Sequence, residues 1–386
     1  MEIYRTEKNE TLYDVANRFT ASPVKLAIDN EIENPRRLAE GRELLIQMPT
    51  RTYIAKRGDT LERIALRFGV DEERLKAQNT ELSGGGLYQG QPLYIKTSSP
   101  IYGMGAANGY LFAGYTYDNL MRAMPYLNYV TVCCAVSEGG RMTMLFDDTE
   151  ALTEAKRYGK IPLLRIYAKD RPRSIDSDFL DSAVILAKGR GYEGITLGGT
   201  AISPADGLEI RQRLMLHDLL LFVERELDVN TPCTDYADGT VLTYDKLHLS
   251  DIPSFADGEE RALRSYADRC TVDTAFLELS PFALAGDKYV EKSRAYSVAD
   301  RNHGSFNYDP VTKLLTGTIG RGRRERPLIS ESLENTKSKL ELIGELGFMG
   351  IAFDIMRAPL NELLIFSNMF KTHPSTRRGP ICNPPN

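Results

Sequence analysis

The 386-residue sequence has no tryptophan, so any ring-stacking platform has to be built from its 20 tyrosines and 14 phenylalanines. Only four histidines are present, His217, His248, His303 and His373; they share no ligand spacing, and neither a metal site nor another cofactor is expected. Five cysteines (Cys133, Cys134, Cys233, Cys270 and Cys382) are odd in number and form no C-x-x-C pair. That argues against a disulfide framework and against a zinc knuckle, and predicts reduced thiols. Excess positive charge is also missing. With 48 basic against 53 acidic side chains the net charge is -5, which excludes the broad cationic surface of a nucleic-acid binder. No run approaches the roughly 18 apolar residues of a membrane span. The opening MEIYRTEKNETL is charged where a secretory signal is apolar, so cytosolic synthesis without a signal peptide is expected. What is present, 42% hydrophobic and 26% charged residues, suffices to bury cores in two or three domains.

The first hundred residues contain one pattern twice, in a register of 49 residues. Thr11-Leu12 answers Thr60-Leu61, Phe19 answers Phe68, Leu26 answers Leu75, Asn30 answers Asn79, Gly41 answers Gly90 and Ile46 answers Ile95. In the second copy Tyr53-Ile54-Ala55 alternates like a strand, Gly58-Asp59-Thr60 turns and caps, and Leu61, Ile64, Ala65 and Phe68 keep helical spacing. Leu75 opens a second helical stripe, and Gly90-Gln91-Pro92 turns into Leu93-Tyr94-Ile95. Each copy is predicted to be a small β-α-α-β unit, at residues 1–49 and 50–98.

These residues, Y-x-x-x-x-G-D-T-L-x-x-I-A-x-x-F-G-V followed by L-x-x-x-N and G-Q-x-L-x-I, resemble the LysM module. The resemblance implies a shallow groove for N-acetylglucosamine units of peptidoglycan or chitin, between the first strand-helix loop and the second helix-strand loop. It assigns that groove to Asp59, Thr60 and Leu61 facing Asn79, Gly90 and Gln91, and in the first copy to Thr11, Leu12 and Asn30. The first copy departs, with Asn9-Glu10 for Gly58-Asp59 and Arg42 for Gln91. Thr11 and Thr60 also have the plainer reading of helix caps, and Asn79 that of a helix end.

From residue 99 onward eight apolar, β-rich runs alternate with helical segments: from Tyr110, Tyr129, Ile161, Tyr192, Leu219, Thr240, Thr274 and Gly347. Eight such units in residues 99–386 predict an α/β fold, a (β/α)8 barrel, with function at the C-terminal strand ends. An open doubly wound sheet is the alternative, but no G-x-G-x-x-G turn follows the first strand.

Several strand ends resemble the glycoside hydrolase family 18 barrel, in particular its LysM-bearing branch that includes spore cortex-lytic N-acetylglucosaminidases. Leu242-Thr243-Tyr244-Asp245 is similar to the family's M-x-Y-D segment, which implies that Tyr244 and Asp245 contact an N-acetyl group. Gly191-Tyr192-Glu193-Gly194-Ile195 is similar to the start of D-G-x-D-x-D-x-E, and there the match fails. Glu193 takes the first acidic position, but Thr196, Gly198 and Thr200 take the second carboxylate, the third and the final glutamate. The family mechanism needs that glutamate as proton donor and the third aspartate to orient the substrate acetamido group. General acid catalysis alone is worth about 10²–10⁴-fold, so an intact catalytic set is not expected.

Glu224, Glu226, Glu278 and Asp354 are the carboxylates that could stand in, and Phe353 occupies a place where many relatives carry a stacking tryptophan. The plainer reading pairs Glu224 and Glu226 with Arg225 or Lys246 and makes Asp354 a cap before Met356-Arg357. Tyr244, Asp245, Phe353, Asp354 and Glu224 are therefore the sugar-binding candidates of the barrel. Residues 300–326 read as loop-rich and end in an arginine cluster, and the polar, proline-rich tail from Lys371 reads as a partly disordered or docking segment. The expected protein binds peptidoglycan or another N-acetylglucosamine polymer and holds a non-hydrolytic barrel, with spore coat or cortex proteins as further partners implied by the resemblance. Its rivals are an active N-acetylglucosaminidase with a relocated acid and a barrel serving as a protein-interaction platform. The resemblance implies a place at the spore cortex, the coat or the cell wall.

Overall fold

The computed structural model describes residues 1–372 except 85, 139–140, 169–176, 199–201, 244–251, 303, 321 and 323–324. The two N-terminal copies fold as the repeat predicts. In the first, strands Glu2–Arg5 and Glu43–Ile46 pair antiparallel around helices Leu12–Phe19 and Pro23–Asp29. In the second, strands Pro49–Ile54 and Pro92–Thr97 enclose helices Leu61–Phe68 and Glu72–Gln78. Equivalent positions do equivalent work. Thr11 and Thr60 cap the first helices through Asp14 and Arg63 N–H groups, and Thr20 and Gly69 end them in the left-handed conformation. Tyr4 packs edge-on against Phe19, and Tyr53 against Phe68, both with ring centroids 5.2 Å apart.

The remaining chain is a closed eight-stranded parallel barrel with helices outside. Its strands are Met104–Leu111, Tyr129–Glu138, Ile161–Ala168, Gly194–Gly198, Leu220–Glu226, Gly239–Thr243, Ala275–Leu279 and Gly350–Asp354, numbered first to eighth below. Each pairs in parallel with the next, and the eighth pairs with the first from Gly350–Ala106 to Asp354–Tyr110. That last ladder closes the sheet and excludes the open alternative. Alternate residues point to two separate cores. Ile195 and Leu197 join the layer beneath the helices, whereas Tyr129, Leu163, Phe222, Val241 and Phe276 fill the barrel interior. Among the described residues no helix is long and apolar enough to cross a membrane.

Two expectations are corrected. Cys233 and Cys270 form a disulfide, with their Cα atoms 5.2 Å apart, while Cys133 and Cys134 are free and buried. The spacing of 37 residues obeys no local pairing rule; the bond arises because the segments entering the sixth and seventh strands are neighbours at the same end of the barrel. Cys382 lies outside the described residues. Much of the segment read as loop-rich is instead ordered. Between the seventh and eighth strands, helix Lys292–Asn302 packs on a five-stranded antiparallel sheet containing Phe306–Asp309, Leu314–Ile319 and Arg326–Glu331. These strands are short and alternate with polar residues, so they leave a weak hydrophobic signal. Arg321, Arg323, Arg324 and the tail beyond Thr372 lie outside the described residues.

A buried ionic network ties this insertion to the barrel helices. Lys292 Nζ donates to Glu331 at 3.1 Å and to Glu362 at 2.8 Å, and Lys339 pairs with Glu331 and, at 2.8 Å, with Glu259.

Candidate functional site

Inward-facing residues near the C-terminal ends of the strands are dominated by one ion pair. Arg165, on the third strand at the same parity as Ile161 and Leu163, reaches Glu224 on the fifth. Its Nε donates to Oε1 at 2.6 Å and its Nη2 to Oε2 at 2.8 Å. Such a two-pronged contact fixes both planes. Between these strands stands Gly198 on the fourth. A Cβ placed there would overlap the Glu224 carboxylate and lie 2.7 Å from Arg165 Nη2. The missing side chain of Gly198 is thus the space through which the pair closes.

Around the pair lie Tyr110, Cys133 and Thr196, and two further carboxylates are near: Glu278, on the seventh strand at the parity of the inward Phe276, whose charge is felt at Tyr110, and Asp354, whose charge is felt at Cys133. Burial opposes the Arg165 charge, but its hydrogen bonds to the Glu224 carboxylate and the attraction between the two charges outweigh it and raise the guanidinium pKa. Burial raises the Tyr110 phenol well above its ordinary value, with the Glu224 charge adding to the effect, and burial likewise raises the Cys133 thiol. Among the described residues the buried Tyr110 hydroxyl and Thr196 Oγ1 have no hydrogen-bond partner. Tyr167, 42% exposed, holds its ring centroid 5.9 Å from Arg165 Cζ. Arg165 and Tyr167 were not singled out from the sequence. The available signal was an arginine interrupting the apolar run Ile161-Pro162-Leu163-Leu164 at an inward position.

The other predicted residues separate. Glu193 precedes the fourth strand, at the opposite end of the barrel from Gly198, while Thr200, Tyr244 and Asp245 lie outside the described residues. Glu224 pairs with Arg165, not with Arg225; the latter donates to the Tyr236 hydroxyl at 2.9 Å and the Ile202 carbonyl at 3.2 Å on the outer face. Lys246 lies outside the described residues. Phe353 is fully buried in the layer between strands and helices, so it presents no ring to the mouth. Asp354 accepts from Met356 N–H at 2.9 Å and Arg357 Nη1 at 2.6 Å, which makes it a cap. Glu226 is exposed beyond the pair. Each carboxylate oxygen of Glu224 and of Asp354 thus already accepts a hydrogen bond from within the chain.

In the N-terminal units, the two asparagines turn out to be latches. Asn79 Nδ2 donates to the Leu75 and Tyr94 carbonyls at 2.7 and 2.9 Å, and its Oδ1 accepts from Tyr94 N–H at 2.7 Å. Asn30 repeats the arrangement with Leu26 and Leu45. Both are buried and fully occupied, which removes them as ligand-facing groups. Asp59 holds its loop by accepting from Lys56 N–H at 2.7 Å and the Tyr53 hydroxyl at 2.8 Å, and these hydrogen bonds lower its pKa. Gln91 is buried and accepts from Tyr88 N–H. Gly90 N–H donates to the Ala55 carbonyl at 2.8 Å, which draws the two loops together. Left open along the cleft are Thr60, the half-buried Leu61, Gly58 and Gly90 with open space above them, and Tyr88, 65% exposed.

The LysM domain model matches residues 4–47 and 53–96. The chain carries two LysM modules. A comparison with curated protein sequences gives no match. Among solved structures, the spore cortex-lytic enzyme SleL of Bacillus megaterium QM B1551 is similar over 97% of this chain and 99% of its own, with 18% identity and a TM-score of 0.69. SleL of Bacillus cereus is similar over the same shares, with 17% identity and a TM-score of 0.70. A chitinase from Chromobacterium violaceum ATCC 12472 covers 68% of this chain and 98% of its own, at 17% identity and a TM-score of 0.56. The likeness to the SleL structures thus extends over nearly the whole fold, LysM modules and barrel together, and that to the chitinase over about two thirds of it.

Proposed function

We propose that the chain is a peptidoglycan-associated binding protein, docking through LysM on glycan rich in N-acetylglucosamine, whose barrel does not hydrolyse it. The observation that carries the second half is the Arg165–Glu224 pair over Gly198. Substrate-assisted glycoside cleavage requires a carboxylic acid at the leaving oxygen and a carboxylate beside the acetamido group. In this chain the second position is a glycine, its space is crossed by a neutralised ion pair, and the sequence offers Thr200 for the first. The docking half is supported by the match of both modules to LysM and by the open cleft from Thr60 to Gly90 in the second. Spore cortex or coat is the setting suggested by the likeness to the SleL structures.

The rival, a relocated acid, would draw on Glu226 or Glu278, while Glu224 and Asp354 are held by Arg165 and Arg357. Co-sedimentation of the full chain with purified, insoluble peptidoglycan tests docking. Retention in the pellet, competed by soluble N-acetylglucosamine oligomers, is expected; a chain that stays in solution at all glycan concentrations would contradict it.

A further inference from the structure

The two LysM modules present unequal faces. At the position of the exposed Tyr88 the first module has Ala39, which is fully buried and belongs to the core of the barrel insertion with Ala283, Ala295, Ala299 and Phe306. Glu40 O accepts from Phe306 N–H at 2.8 Å, and a Cβ on Gly41 would overlap the Phe306 carbonyl. Arg42, where the second module has Gln91, forms a buried ion pair with Asp300, whose other oxygen accepts from Ala39 N–H at 2.8 Å. Across the cleft, Leu12 is completely buried and its N–H donates to the Pro35 carbonyl at 2.8 Å, which joins the two loops directly.

Its departures from the second copy thus become legible as adaptations. Alanine replaces an exposed tyrosine because the site lies inside a core, and arginine replaces glutamine because it meets Asp300. We infer that the first LysM module has its cleft occupied by the barrel insertion and serves as an intramolecular brace, so that the chain engages glycan through the second module alone, one site per chain. The inference rests on the glycan-docking reading above and adds which module carries it. Avidity on a polymer then requires several chains rather than two modules of one.

The test uses the full chain and the soluble tetramer of N-acetylglucosamine, titrated by calorimetry or ligand-observed NMR. One equivalent is expected, and Tyr88→Ala is expected to weaken it at least tenfold and leave no second class of site. Two equivalents, or one equivalent retained in Tyr88→Ala at the original affinity, would overturn the inference. Absence of any binding by the unaltered chain, on the tetramer and on insoluble peptidoglycan alike, would remove the docking reading and this inference with it. Hydrogen exchange on the ligand-free chain reads the brace separately: the Phe306 amide is expected to be protected and, if it exchanges as freely as an exposed loop, the occluding contact is refuted.

Discussion

Glu224 reaches Arg165 across the Cα of Gly198, so residues from three successive barrel strands define one small space and two side chains fill it. A glycine there is what lets a guanidinium and a carboxylate meet face to face. The pair and the missing acidic side chain are one structural fact viewed from two sides.

Breaking that pair from one end leaves a largely buried charge without its partner, which typically costs about 3–5 kcal/mol, whereas replacing both ends by apolar groups of similar size is often near neutral. Arg165→Met is therefore expected to lower stability by that order, and Arg165→Met combined with Glu224→Met by clearly less. Urea denaturation of the two single variants and the double variant measures the coupling.

Restoring the acidic motif at its own positions is expected to fail. Aspartate at Gly198 brings both a side chain into occupied space and a third charge beside Glu224; overpacking alone costs roughly 1–3 kcal/mol. Gly198→Asp with Thr200→Glu should be destabilised and inactive on N-acetylglucosamine oligomers. Activity appearing in that variant without any change at Glu224 would show that the pair yields easily.

The ionic network under the insertion gives a pH signature. Three carboxylates, Glu259, Glu331 and Glu362, face two lysines, Lys292 and Lys339, with Tyr296 also close to Lys292. Burial opposes ionisation of Glu331, but the charges of Lys339 and Lys292 together prevail and bring its pKa down from 4.5 to about 2. A depressed carboxylate contributes stability that is complete above 4.5 and is lost as pH falls toward 2. Glu259 and Glu362 are raised, mainly by burial, and act in the opposite sense: their contribution is present below 4.5 and declines as pH climbs through their folded values. Glu331→Gln should cost about 3–5 kcal/mol near neutrality and flatten the acid limb of the stability profile. Glu259→Gln should cost less, because it removes the excess carboxylate. Denaturation midpoints between pH 2 and 7 check both.

The Cys233–Cys270 bond closes a loop of 37 residues at the entry to the sixth and seventh strands. Cross-links of that span stabilise by roughly 2–4 kcal/mol. Reduction, or Cys233→Ser, is expected to lower the thermal midpoint, and an unchanged midpoint under reducing conditions would mean that the bond does not form.

The barrel was legible because parallel strands are covered on both faces and so appear as eight predominantly apolar runs between helical segments. The repeat was legible because register survives over 49 residues, down to the Tyr4–Phe19 and Tyr53–Phe68 contacts. What escaped depends on distance in the chain. Arg165 and Glu224 meet only once strand order is known, and Arg42 finds its partner 258 residues away. The asparagines illustrate a different limit: Asn30 and Asn79 were visible as a repeated residue, but a side chain that latches a turn and one that greets a ligand look alike in sequence. Phe353 stands where the resemblance implies a stacking ring, but adjacent strand residues face opposite sides and Phe353 takes the side toward the helices.

The proposed barrel carries glycan-binding modules without cutting the glycan. The full chain, incubated with purified cortex peptidoglycan and followed by chromatography of the soluble fraction, should pellet with the polymer and release no muropeptides above the level of a heat-inactivated control. Sustained release that disappears on Glu226→Gln or Glu278→Gln would contradict the account.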